Sequence, residues 1–183
     1  MKRVSVEACD PAVVESVSRR GLGDALGTEA VAVNHYTVPP GGRLAGLHAH
    51  ADQAETFVVL SGAVGFETLD GRIRVTEDET VRFAPGEFQS CRNPTDRKAV
   101  VLALGAPPES DDLRVPVSCS VCDGDEHRLA FPDGEELLIC PDCGARTEPE
   151  CPACGGTGLR VALGEDDRPV ERCLDCGATT PAG

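Results

Sequence analysis

Gly42-Arg43-Leu44-Ala45-Gly46-Leu47-His48-Ala49-His50-Ala51-Asp52-Gln53-Ala54-Glu55-Thr56-Phe57-Val58-Val59-Leu60-Ser61-Gly62 is the stretch on which the reading of this chain turns. His48 and His50 are two residues apart, so on an extended strand both side chains leave the same face. Glu55 precedes the apolar, β-branched run 56–60 and returns on the neighbouring stretch toward the same interior. Two imidazoles and a carboxylate then converge, a donor set suited to a divalent iron, manganese, nickel, copper or zinc ion with positions left open. A solvent-facing His-Ala-His strand is the plain alternative.

Outward from this stretch the chain reads as short strands. Residues 31–38, 80–84 and 98–104 are apolar and β-branched, and 64–69 and 72–76 flank Asp70-Gly71, a favoured hairpin turn. Upstream, Asp10 with Pro11 predicts a helix start, with Val13, Val14 and Val17 on one face and an end by Gly21. The glycines at 21, 23 and 27 do not form a phosphate-binding loop. Residues 106–116, with Pro107-Pro108 and three acids, read as a linker.

The spacing of Gly42, His48, His50, Glu55 and Gly62 resembles the first motif of the cupin superfamily, in its small-barrel form. That resemblance implies a jelly-roll barrel, a homodimer, and His48, His50 and Glu55 as metal ligands. It implies a dioxygenase or an isomerase of a small polar molecule if the protein is an enzyme. The second cupin motif is matched in part, by Pro85, Gly86 and Asn93, and its histidine ligand is here Gln89. An amide oxygen is a weaker, neutral donor, so metal should bind less tightly or in a more open sphere. Alternation from Gln89 sends Cys91 and Asn93 inward, Cys91 as a buried small hydrophobe or as a neighbour of the ion. Arg43, Arg92 and Arg97 are candidates for an anionic substrate or ordinary surface arginines. His35 and His127 are solitary, and Cys9 has no partner nearby.

The last third holds four Cys-x-x-Cys pairs in two blocks. Seventeen residues separate Cys119/Cys122 from Cys140/Cys143, and eighteen separate Cys151/Cys154 from Cys173/Cys176. Two intervening residues let a tight turn aim both sulfurs at one ion about 2.3 Å away, and four thiols per block suit a structural zinc ion. The near-equal spacers favour pairing of neighbours over crossed or nested pairing. Hairpins are expected between the pairs, 127–131 with 135–139 and 159–163 with 169–172. Knuckle, hairpin, knuckle resembles the zinc-ribbon family. Disulfides are the alternative; residues 1–20 carry no apolar signal segment, so a reducing cytoplasm is expected.

Acidic residues number 31 against 17 basic, the net charge is −14, and Lys2 and Lys98 are the only lysines. Such a surface, with 3% aromatic residues, resembles proteins of salt-in halophiles. It offers no basic helix or stacking platform for nucleic acid, and no apolar run is long enough to span a membrane.

The expected fold class is all-β: an N-terminal helical segment at 1–27, a cupin barrel at 28–106, a linker at 107–116, and zinc ribbons at 117–147 and 148–180. The metal sites are His48, His50, Glu55 and Gln89 for one divalent ion, and the two cysteine quartets for two structural zincs. Function divides between a metal-binding protein acting on a small polar molecule and a non-catalytic sensor whose ribbons contact a protein or nucleic acid. The ribbons should fold only with metal, and the barrel without it.

Overall fold

The computed structural model describes residues 1–182. Its elements are β1 (Ala12–Val14), β2 (Val17–Gly21), a one-turn helix α1 (Gly23–Leu26), β3 (Ala32–Val38), β4 (Ala49–His50), β5 (Ala54–Ser61), β6 (Ala63–Thr68), β7 (Gly71–Thr76), β8 (Thr80–Phe83), β9 (Ser90–Arg92) and β10 (Ala99–Ala106). After these come β11 (Leu113–Val115), β12 (His127–Ala130), β13 (Leu137–Ile139), β14 (Arg146–Thr147), β15 (Leu159–Leu163), β16 (Pro169–Cys173) and β17 (Thr179–Pro181). Among the described residues no helix is long and apolar enough to cross a membrane.

The sheet β1-β2-β3-β10-β5-β8 and the sheet β7-β6-β9 enclose one core. Strand β10 shows how alternation builds it: Ala99, Val101 and Ala103 are buried between less buried neighbours. Phe57, Phe66 and Phe83 meet with ring centroids 5.0 to 6.1 Å apart and fill the centre. Gly62 takes a left-handed φ of 81°, and a Cβ there would sit 3.0 Å from the Lys98 carbonyl oxygen, so this turn needs glycine on both counts.

The helix expected over residues 10–21 is not formed. A hairpin takes its place, turning at Glu15 with φ of 55°, and β2 pairs with β3. Val13, Val14 and Val17 suit a strand better than a helix, because branching at Cβ restricts χ1. Among the described residues the one α-helical turn is α1, ended by Gly27 in the left-handed region.

The expected linker is corrected as well. Residues Leu113–Val115 form β11, which pairs with β12 on one side and with β4 on the other, Leu113 opposite His50 and Arg114 opposite Ala49. The resulting sheet, β14-β13-β12-β11-β4, runs from the first cysteine module into the barrel. The second module, β15-β16-β17, docks on the same segment: the Leu47 N–H donates to the Val161 carbonyl at 2.7 Å. A second apolar core unites Leu47 of the barrel with Val117, Leu138, Val161 and Leu163 of the modules.

Glu67 adds a polar tie. Its buried carboxylate accepts from Arg43 at 2.7 Å and lies 3.6 Å from Arg72 and 3.9 Å from Arg92. Arg72 also donates to the Gly164 carbonyl of the second module at 2.8 Å. Burial works to raise the Glu67 carboxyl, but the hydrogen bond and charge of Arg43, aided by Arg92, hold it below its ordinary 4.5. A depressed carboxyl stabilises fully above its unfolded value, and that share is lost as pH falls through the folded value. Glu67→Gln is therefore expected to cost about 3 kcal/mol at neutral pH. Its melting temperature should then fall less steeply than wild type below pH 4.5; parallel curves would show that Glu67 does not carry the acid sensitivity.

Candidate metal centres

Each cysteine quartet closes as its spacing predicts. Cys119 and Cys143 sulfurs are 3.8 Å apart and Cys122 and Cys140 3.5 Å; Cys151 and Cys176 are 3.7 Å apart and Cys154 and Cys173 3.6 Å. A disulfide would put sulfurs about 2.05 Å apart, whereas a tetrahedron with Zn–S bonds of about 2.3 Å has edges of about 3.8 Å. All eight cysteines are free, and either cluster could hold zinc. Backbone N–H groups of Cys143 and Cys176 pull the thiols of Cys140 and Cys173 down to about 7, so one buried sulfur per cluster is disposed to be thiolate.

In the barrel, donor atoms of His48, His50 and Glu55 lie within 4.8 Å of one another. β4 supplies His50, the preceding residue pair places His48 beside Gln89 through a backbone bridge, and β5 supplies Glu55. The His50 Nε2 to Glu55 Oε2 distance is 3.6 Å, inside the roughly 4.2 Å that two ligands can span through one ion at about 2.1 Å each. His48 Nδ1 lies 2.8 Å from the Gly46 carbonyl oxygen. If Nδ1 carries the proton and donates there, Nε2 is left as a lone pair for the cluster, the arrangement common to metal-bound histidines. Burial, with His50 close by, lowers the His48 pKa to about 4 despite that hydrogen bond, so the ring is neutral at physiological pH. Burial also raises Glu55, against the opposing pull of His50 and Gln89. His50 Nδ1 is buried without a hydrogen-bond partner.

Gln89 sits among these donors. Its Nε2 donates to Glu55 Oε2 at 2.8 Å and lies 3.3 Å from His48 Nε2. The amide thus bridges two of the three ligands, and serving as a metal donor would require it to turn Oε1 inward. Cys91 is buried in the core beside the lumen, and desolvation pushes its thiol up to about 12. Asn93 is no ligand: its Nδ2 donates to the carbonyls of Val38 and Arg97, and its Oδ1 accepts from Thr95. His127 is a core residue with Nδ1 2.7 Å from the Val117 carbonyl, and His35 sits on β3 away from the cluster.

The lumen is a cavity of about 310 Å³. Arg19, Asn34, Tyr36, Gln53 and Ser110 line it, and none of them stood out in the sequence. Arg19 was hidden by the helix expected there. Arg43 and Arg92 face Glu67 instead of the lumen, and Arg97 is exposed. Burial raises the Tyr36 hydroxyl in spite of nearby Arg19, which keeps it a proton donor at neutral pH.

A small β-barrel with a histidine–carboxylate cluster in its lumen, extended by two four-cysteine modules, is the class that fold and site define. Residues 34–105 match the family model described as Cupin domain. Among solved structures the chain is similar to a sugar phosphate isomerase of the cupin superfamily from Silicibacter pomeroyi DSS-3, at TM-score 0.57 and 19% identity over 79% of this chain and 91% of that one. It is also similar to a polyketide cyclase from Streptomyces resistomycificus, at TM-score 0.55 and 21% identity over 62% and 83%. A third similar structure is a predicted oxalate decarboxylase from Thermotoga maritima, at TM-score 0.52 and 20% identity over 57% and 98%. At these identities the likeness establishes the fold alone. No curated protein matches the chain.

Proposed function

We propose that this protein is a metal-binding cupin that binds, and with its metal transforms, a small molecule in the barrel lumen. The convergence of His48, His50 and Glu55 carries this reading. A divalent ion held there would supply Lewis acidity and open positions for substrate. His48 and His50 would hold it by Nε2, Glu55 by a carboxylate oxygen. Tyr36 offers a proton donor, and Arg19 a positive charge at the lumen wall. The similar isomerase and decarboxylase folds make isomerisation or carboxylate chemistry the first reactions to try, on analogy alone. Elemental analysis should find two zinc per chain plus up to one equivalent of another divalent metal; barrel ligands that retain none across Mn, Fe, Co, Ni, Cu and Zn would remove the metal reading.

The Gln89 bridge supports a second reading, a non-catalytic ligand sensor, because hydrogen bonds already hold the cluster together. Gln89→His separates the two. On the metal reading it adds a third nitrogen and tightens barrel metal about 10- to 100-fold in competition titrations; no change in affinity would favour the sensor. The exposed knuckle-tip residues Val121 and Leu174 suit a protein partner of the modules. Homodimerisation rests on the free edge of β1, where Val13 and Val14 are exposed, and a monomer in sedimentation equilibrium would remove it.

A further inference from the structure

A second cavity, of about 320 Å³, lies between the barrel and the two cysteine modules. His48 and His50 line it as well as the lumen, so the candidate ligands are common to the walls of both spaces. Their linings differ in chemistry. Where the lumen presents arginine, asparagine, glutamine and serine, the cleft presents Leu113, Val115 and Leu129 from the first module's sheet, with Leu138, Leu159 and Val161. A void of about 150 Å³ with apolar walls takes up a benzene ring, and ligand pockets begin at about 300 Å³. The charged groups here set a second condition. Glu136 and Glu171 line the cleft, and Arg160, the one arginine there, is already paired with Glu15. An anionic tail would therefore be repelled.

Resting on the metal-binding reading above, we infer that the ligand is amphipathic: a polar end engages the His48–His50–Glu55 cluster, and an uncharged or cationic apolar body of one or two rings lies in the cleft between barrel and cysteine modules. Continuity is the main argument. The cleft is walled by elements that pair directly with the ligand-bearing segment, β11 against His50 and Val161 against Leu47. His48 and His50 belong to the walls of both cavities, so a molecule seated at the histidines borders the cleft. On this assignment the cysteine modules form half of the binding site, and the small polar substrate expected from the barrel alone is only the head of the true ligand.

The experiment uses the full chain loaded with nickel and two chelators that share one metal-binding group, acetohydroxamate and 2-naphthohydroxamate, with the uncharged dye N-phenyl-1-naphthylamine as a tail-only probe. The naphthyl compound should bind at least tenfold tighter than acetohydroxamate and should displace the dye, which should bind one per chain. Leu129→Trp, which fills the cleft from a half-buried position, should erase the tenfold difference while leaving acetohydroxamate binding and two zinc per chain unchanged. Should that variant misfold, nuclear Overhauser contacts between the naphthyl protons and the methyls of Leu129 and Leu138 in wild type decide the matter, and their absence overturns the inference. Equal affinity for the two hydroxamates in nickel-loaded protein overturns the cleft and leaves the metal reading intact. A chain that takes no barrel metal yet still binds the dye in the cleft supports the chamber and removes the metal reading instead.

Discussion

Cys140→Ser is expected to release one zinc ion and, with it, to weaken metal binding in the barrel, three strand pairings away along β13-β12-β11-β4. Four thiolates and a zinc ion contribute on the order of 10–16 kcal/mol of apparent binding energy in small structural sites, and in a module with so little core that energy is folding energy. If the first module melts, β12 no longer supports β11, and β11 is the strand that pairs with His50. A ligand whose backbone is no longer held loses the pre-organisation that outer contacts provide, commonly worth about 10- to 100-fold in affinity. Elemental analysis and a competition titration on the same sample would report both losses. Independent modules would give another result: one zinc lost, with barrel affinity and barrel melting unchanged, and β11 would then be a passive connection.

His48→Ala should abolish barrel metal binding, by about 100-fold or more, while both cysteine clusters keep their zinc. The substitution is unusually clean because the contacts that hold this residue in register are made by its backbone. Its N–H donates to the Gln89 carbonyl at 3.1 Å and its carbonyl accepts from the Gln89 N–H at 2.8 Å, and alanine preserves both. What is removed is the ring whose Nε2 the Gly46 carbonyl would leave free for metal. His50 and Glu55 alone would leave an ion with two protein donors and a weak amide. A variant that kept the barrel metal at wild-type affinity would mean that His48 is not a ligand, and the cluster would have to be reassigned.

Much of this architecture was legible because its signals are local. Two histidines two residues apart on a strand must share a face, and cysteine pairs separated by two residues make knuckles whatever lies between them. The hairpins at Asp70-Gly71 and at Pro132-Asp133-Gly134 announce themselves by turn residues, and the observed strands end within a residue or two of the expected bounds. What was missed depends on contacts distant in sequence. Val13, Val14 and Val17 lie at offsets that a helix and a strand can both bury, and only pairing of β2 with β3 decides between them. Leu113–Val115 is too short and too close to prolines and acids to read as a strand; it becomes one by finding β4 across more than sixty residues. The lumen residues Arg19, Asn34 and Gln53 are scattered singly along three segments, with no spacing to mark them.

Tyr36 has a practical consequence. It is the only tyrosine in a chain without tryptophan, and it stands in the wall of the lumen. Nearly all ultraviolet emission from the folded protein therefore originates at the candidate site, with no background from the cysteine modules or the acidic surface. The molecule carries its own gauge: binding of a paramagnetic ion or an absorbing ligand can be followed by the dimming of one native fluorophore, on unlabelled protein, at whatever salt concentration it requires.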